Sequence, residues 1–206
     1  MNSGTLRVAI FGVCLLPLVR LVLLGVTDRL GANPIEFITR STGIWSLVML
    51  CLTLSVTPLR KLSGWTGVLR FRRMLGLFCF FYVLLHMMTW VWFDHWFELL
   101  ALIKDVWKRP FITVGFTAML LLWPLALTSN QWAMRRLGRR WTRLHRLIYV
   151  IVVLALLHFW WMRAGKNNFL EPFVYSCVVA SLLGFRLVNY FGKTDSKANR
   201  SASFSR

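Results

Sequence analysis

Four histidines, His86, His95, His145 and His158, are the residues of this chain best suited to chemistry in an apolar setting. Imidazole is a metal ligand and a proton carrier near neutral pH. Three of the four lie in long apolar runs, where ionisable groups are rare and usually functional. His86 closes "RRMLGLFCFFYVLLH" (72–86), and His145 and His158 bracket "HRLIYVIVVLALLH" (145–158). His95 follows the end of its run and belongs in the membrane interface. A neutral imidazole in hydrocarbon needs a partner for its bare nitrogen. That partner is a polar group on a neighbouring helix or a metal ion.

The elements that carry these residues are helices of membrane-spanning length. A hydrocarbon core takes about 20 apolar residues in a helix, and six segments qualify: 8–26, 41–59, 74–93, 111–128, 144–163 and 171–190. The chain is 57% hydrophobic with a mean hydropathy of +0.60, too apolar for an ordinary soluble domain of 206 residues. Residues 8–26 are long for a signal peptide and no A-x-A site follows, so they read as a retained first span. Short connections make neighbours in sequence antiparallel. The fold class is an all-α membrane protein, a six-helix up-and-down bundle forming one domain over residues 8–190. Residues 1–7 precede it, and a polar tail, residues 191–206, is expected to be disordered.

Charge orients the bundle. The chain has 25 Lys+Arg against 7 Asp+Glu. Its basic residues sit in short clusters between apolar runs, a pattern of membrane loops rather than of nucleic-acid binding. One side collects Arg7, the 60–73 connection, the 135–146 connection and the C-terminal tail, 17 of the 25 basic residues. The positive-inside rule makes that side cytoplasmic and places both termini there, N-in and C-in. Trp90, Trp92, Trp96 and Trp107 then gather at the opposite face, with Trp160 and Trp161, as an interfacial belt or a docking surface for an external partner. Cys14, Cys51, Cys79 and Cys177 lie in apolar runs without a CxxC and read as buried small hydrophobes.

Depth pairs two of the histidines. His86 is seven residues before Phe93 and His158 five before Arg163, which puts them roughly 10 and 8 Å below the same face. Their spans run in the same direction. Two imidazoles at matching depth on two helices are what axial ligation of a haem requires. His145 lies about 20 Å further along its helix, towards the cytoplasmic face, where a second haem would stack. No histidine stands opposite it; fourteen residues before His86 stands Arg72. Its guanidinium stays protonated, so it is a poor iron ligand and reads as a propionate anchor or an orienting charge. Arg20, inside the first span, snorkels or serves a propionate. On an ideal helix His145 and His158 point about 140° apart, so span five needs a bulge or a different approach angle to present both.

The motifs "NPIEFITRSTG" (33–43), "TPLR" (57–60), "RRMLGLFCFFYVLLH" (72–86), "KRPFITVG" (108–115), "PLALTSN" (124–130) and "RRLGRRWTRLHRLIY" (135–149), followed by His158, occur in order along the chain. In them the sequence resembles the MsrQ family, also called YedZ, of ferric-reductase-like membrane domains related to NADPH oxidases. The resemblance implies b-type haem, one or two per chain, held by His86, His145 and His158, with flavin mononucleotide (FMN) as an associated cofactor. It implies a bacterial inner-membrane subunit that passes electrons outward to MsrP, a periplasmic molybdopterin enzyme that reduces methionine sulfoxide. The donor would be the quinone pool or a cytosolic flavin reductase. The related oxidases have four haem histidines; Arg72 stands where the fourth would be.

Two other classes compete. A proton-relaying transporter or channel would use the histidines without haem, and a structural anchor has no use for them. The chain has no G-x-G-x-x-G motif, so hydride from a nicotinamide needs a separate protein. No acid–base pair lies within the spans, which places sulfoxide chemistry on the partner.

Overall fold

The computed structural model describes residues 3–165 and 167–204, with side chains as far as Phe191. The chain is helical throughout: α1 (Ser3–Val26), α2 (Pro34–Ser63), α3 (Arg72–Thr89), α4 (Leu99–Lys108), α5 (Pro110–Leu127), α6 (Gln131–Leu137), α7 (Arg139–Leu144), α8 (Ile148–Ala164) and α9 (Leu170–Phe204). Six stretches are long and apolar enough to cross a membrane: Gly4–Val26, Pro34–Ser63, Thr66–Asp94, Pro110–Leu127, Arg139–Ala164 and Leu170–Phe191. They coincide with the six expected spans. An even number of crossings leaves the two ends of the bundle's chain on one side. The tail expected to be disordered, residues 191–206, instead continues α9 as helix to Phe204, with its side chains beyond Phe191 outside the described residues.

Local chemistry starts and stops these helices. Asn33 caps α2, its side chain accepting from the Glu36 N–H at 3.1 Å, and Pro34 takes the first position, where no intrahelical donor is needed. The helix ends at Gly64 in the left-handed region (φ 70°). Pro110 opens α5. Gly138 (φ 48°, ψ −120°) separates α6 from α7 in a conformation that a side chain would resist.

Two helix pairs form the frame: α2 with α3, and α5 with α8. Their packed interior includes Tyr82, Leu54, Val152, Cys79 and Met49, all nearly inaccessible. Tyr82 also donates to the Cys14 carbonyl at 2.8 Å and so fastens α1 to α3. Arg186 on α9 reaches the Leu54 carbonyl and the Tyr149 hydroxyl, each at 2.7 Å. The outward faces of α1 and α9 leave Val8, Val13, Val26, Leu187 and Val188 exposed. This is the expected surface of a bundle whose solvent is lipid. Cys177 is exposed there too, whereas the other three cysteines are buried; the apolar run that suggested burial reflects contact with lipid instead.

Four features depart from regular spans. A 3-10 stretch, Thr66–Phe71, leads into α3. Between α7 and α8 the chain makes one 3-10 turn, His145–Leu147. Each 3-10 residue turns about 20° further than an α residue, so three of them narrow the 140° offset of His145 from His158 by roughly 60°. The irregularity that span five required is therefore present as an overwound turn. Span three ends in a π turn, Trp90–Asp94. The connection to span four contains α4, a short helix not read from the sequence, with Leu99, Leu100, Ile103 and Trp107 exposed along it.

Candidate functional site: two cavities lined by histidine

His86 on α3 and His158 on α8 meet inside the bundle. Their ring centroids are 6.2 Å apart and their planes are inclined at 74°. His86 Nδ1 lies 2.9 Å from the Thr39 carbonyl on α2, and His158 Nδ1 lies 2.7 Å from the Phe111 carbonyl on α5. A carbonyl only accepts, so Nδ1 carries the proton and donates, and Nε2 keeps its lone pair. Imidazole–metal bonds of about 2.0–2.1 Å to both Nε2 atoms would separate the ring centres by roughly 6 Å, in line with the observed spacing. Among the described residues no group of three His, Cys, Asp or Glu side chains could hold a bare metal ion. Two opposed imidazoles without further protein ligands suit an iron whose remaining bonds come from a planar macrocycle. These residues fit haem.

The pair lines a cavity of about 260 Å³, walled by apolar side chains such as Leu47, Val83, Phe116 and Met119. Arg40, Asp94 and Arg109 stand among its lining. Both arginines are tied to carboxylates. Glu171 accepts from Arg40 and from the buried Arg163. Asp105 accepts from both Arg109 nitrogens, from Trp90 Nε1 at 3.0 Å and from His95 Nε2 at 2.9 Å. Burial pushes the Asp105 carboxyl up, but hydrogen bonds from Arg109, Trp90 and His95 outweigh it and hold the group below the ordinary carboxylate range. Trp90 therefore serves this node. Trp160 is likewise committed, donating to the Ser176 hydroxyl at 2.9 Å.

A second cavity, about 240 Å³, lies towards the other end and is lined by Arg72, Arg73, Gly76, Met134, Trp141 and His145. His145 donates from Nδ1 to the Trp141 carbonyl at 3.1 Å and stacks on the Trp141 ring, centroid to centroid 3.9 Å. Its Nε2 is buried and without a protein partner. A buried polar atom left bare carries a free-energy cost unless a ligand meets it. No second imidazole lines this cavity; its other soft donors are Met134 and Cys79. Leu50, Cys79 and Leu122 line both cavities and so form the partition between them.

All three expected ligand histidines thus line cavities, with Nδ1 on a backbone carbonyl. Arg72 shares the cavity of His145, as expected. Arg20 is exposed on α1 and lines neither cavity, so it is placed to snorkel rather than to serve a ligand. Sequence reasoning missed Arg40, Arg109 and the carbonyls of Thr39 and Phe111. The arginines were visible only as loop charges near span ends.

Residues 42–156 match the family of ferric reductase like transmembrane components. The protein-methionine-sulfoxide reductase heme-binding subunit MsrQ of Herminiimonas arsenicoxydans is 57% identical over 179 residues, covering 86% of this chain and 82% of the relative. The chain belongs to the MsrQ family. The MsrQ of Ralstonia nicotianae is 55% identical over 182 residues, 88% of this chain and 84% of its own. That of Bordetella pertussis is 51% identical over 188 residues, 91% of each. The matched family region begins at Thr42 on α2 and ends at Leu156, two residues before His158. It therefore contains His86 and His145, with α3, α5, most of α2 and the first half of α8, while identity to the MsrQ relatives extends across most of the chain.

Proposed function

We propose that this chain is a membrane haem protein that carries electrons to a methionine sulfoxide reductase of the MsrP type. The observation that carries the reading is the pair of Nε2-bare imidazoles, His86 and His158, spaced for one metal in an apolar cavity. Haem, when bound there, supplies a one-electron couple. His86 and His158 would hold it through Nε2, and Arg40 and Arg109, which line the cavity while bound to Glu171 and Asp105, would offer their remaining N–H groups to its propionates. The second cavity offers the bare Nε2 of His145 and the charges of Arg72 and Arg73. That donor set suits an anionic planar cofactor, either a second haem or FMN.

By sequence, seventeen of the 25 basic residues fall in the segments assigned to the side of Arg72, Arg73 and the 135–146 connection. In the positive-inside orientation this end faces the cytoplasm, N-in and C-in, in the inner membrane of a bacterium. Electrons from quinol, or from flavin reduced by a cytosolic reductase, then enter near His145. They cross the Leu50–Cys79–Leu122 partition and leave beside His86 and His158. Each sulfoxide consumes an electron pair and a proton pair and yields the thioether and water, on the periplasmic molybdopterin partner rather than on this chain. The basic loops also meet anionic lipid on the cytoplasmic face.

The test uses purified chain in detergent or nanodiscs with the partner enzyme. Reduced flavin or quinol should reduce the haem, seen as a sharpened α band. Adding the partner and methionine sulfoxide should reoxidise it, with the thioether as product. Folded protein without a Soret band, as a proton relay would give, contradicts the reading.

A further inference from the structure

The two ligand histidines are held by the same construction, repeated on two helix pairs. His86 donates to the carbonyl 47 residues before it, at Thr39. His158 donates to the carbonyl 47 residues before it, at Phe111. Four residues after each of these carbonyls stands a glycine, Gly43 on α2 and Gly115 on α5. Both glycines line the cavity. A Cβ built on Gly43 would lie 3.0 Å from His86 Cε1 and 3.1 Å from its Nδ1. On Gly115 it would lie 2.7 Å from His158 Nδ1 and 2.9 Å from Cε1. In both cases the ring edge facing the glycine is the edge that bears Nδ1.

The helix geometry explains the spacing of four. A Cβ tilts towards the helix N-terminus, over the preceding turn. The side chain at one position therefore covers the carbonyl four residues earlier. That carbonyl already receives the backbone N–H of the later residue, yet it has a second lone pair. With glycine at the later position, an imidazole from the next helix can lie against the bare backbone and use it.

We propose that Gly43 and Gly115 are matched positioning residues: each leaves room for one imidazole to bond the carbonyl one turn earlier and so turns Nε2 towards the opposite histidine. The inference rests on the reading that His86 and His158 ligate haem. Each glycine acts through the histidine ring that rests against it. Fixing Nδ1–H on a carbonyl sets the tautomer and ring orientation and raises the basicity of Nε2. An added methyl group pushes the ring off, lengthens that bond, weakens the ligand and favours the reduced iron. The closer approach at Gly115 makes it the more sensitive of the two.

The experiment compares Gly43→Ala, Gly115→Ala, Gly12→Ala and Gly184→Ala in the full chain, purified with haem. A Cβ at Gly12 or at Gly184 meets nothing within 4 Å, and neither residue lines either cavity. Readouts are the low-spin ferric EPR signal, the Soret position and the midpoint potential. Gly115→Ala should lose most of its low-spin signal to high-spin haem. Gly43→Ala should lose less and show a potential shifted upward. Gly12→Ala and Gly184→Ala should match the parent at this site. If Gly115→Ala does not accumulate, Gly43→Ala, with its milder contact, decides. A glycine serving only helix packing would lower thermal stability without moving the EPR signal or the potential. Parent-like spectra and potentials in both Gly43→Ala and Gly115→Ala overturn this inference alone. A folded but colourless parent overturns the haem reading, and this inference with it.

Discussion

At one end of the bundle two imidazoles face each other across 6.2 Å, each fixed by a carbonyl of a neighbouring helix. At the other end a single imidazole, His145, is fixed by its own segment through Trp141, and it shares its cavity with Arg72 and Arg73. The first site is built by four helices and presents two imidazoles. The second is built around a 3-10 turn and presents one imidazole and two cations. In the proposed reading the difference separates two tasks. The symmetric imidazole pair in an apolar wall would hold one redox group rigidly. The lone imidazole beside guanidinium groups would receive an anionic cofactor.

The substitutions that probe this contrast differ in size. The largest effect is expected at the paired site. His86→Ala and His158→Ala should each abolish the bis-imidazole signal and most of the Soret intensity, and to the same degree. An unequal outcome would mean that one ring alone holds the metal. Next comes His145→Ala, which should leave the bis-imidazole signal intact and remove only absorbance, or bound FMN, that belongs to the second cavity. Identical spectra for His145→Ala and His158→Ala would merge the two sites into one. Arg72→Ala should weaken retention of the second-cavity cofactor through washing and leave the first haem in place, measured as cofactor per protein before and after gel filtration.

A smaller effect is expected at the cavity mouth. Asp105→Asn removes the charge that receives Arg109, Trp90 and His95 and should cost about 2 kcal/mol, in the range of hydrogen bonds to charged groups. Its sign with pH follows from the depressed carboxyl. The stabilisation is present above the unfolded carboxylate value of about 3.9 and is lost as pH falls through the lower folded value. Thermal melts of parent and variant should therefore converge under strongly acidic conditions and stay apart near neutrality. A gap that does not narrow in acid would remove Asp105 from the ionised node.

Much of the architecture was legible because lipid imposes a simple rule. Spans must be long and apolar, so the six runs could be read directly, and the depth of His86 and His158 followed from counting residues. What depth counting cannot supply is the facing residue on another helix. Thr39 and Phe111 act through backbone carbonyls, which carry no signal in residue type. Gly43 and Gly115 act by lacking a side chain. Arg40 and Arg109 read as interfacial charges until the helices are assembled and Glu171 and Asp105 are seen to bind them. The α4 helix was missed because its ten residues are too few to span, although "LLALIKDVW" places Leu99, Leu100, Ile103 and Trp107 on one exposed face. Cys177 shows the converse: an apolar context predicts an apolar environment, and in a membrane protein that environment includes lipid.

The most direct measurement of the central claim is low-temperature EPR of the purified ferric protein and of its His86→Ala and His158→Ala variants, with haem quantified by pyridine haemochrome. The parent should show a low-spin bis-imidazole signal of the strongly anisotropic kind that inclined ligand planes produce, and both variants should lose it together. A folded parent without haem, or a variant of either histidine that keeps the parental signal, would contradict the account.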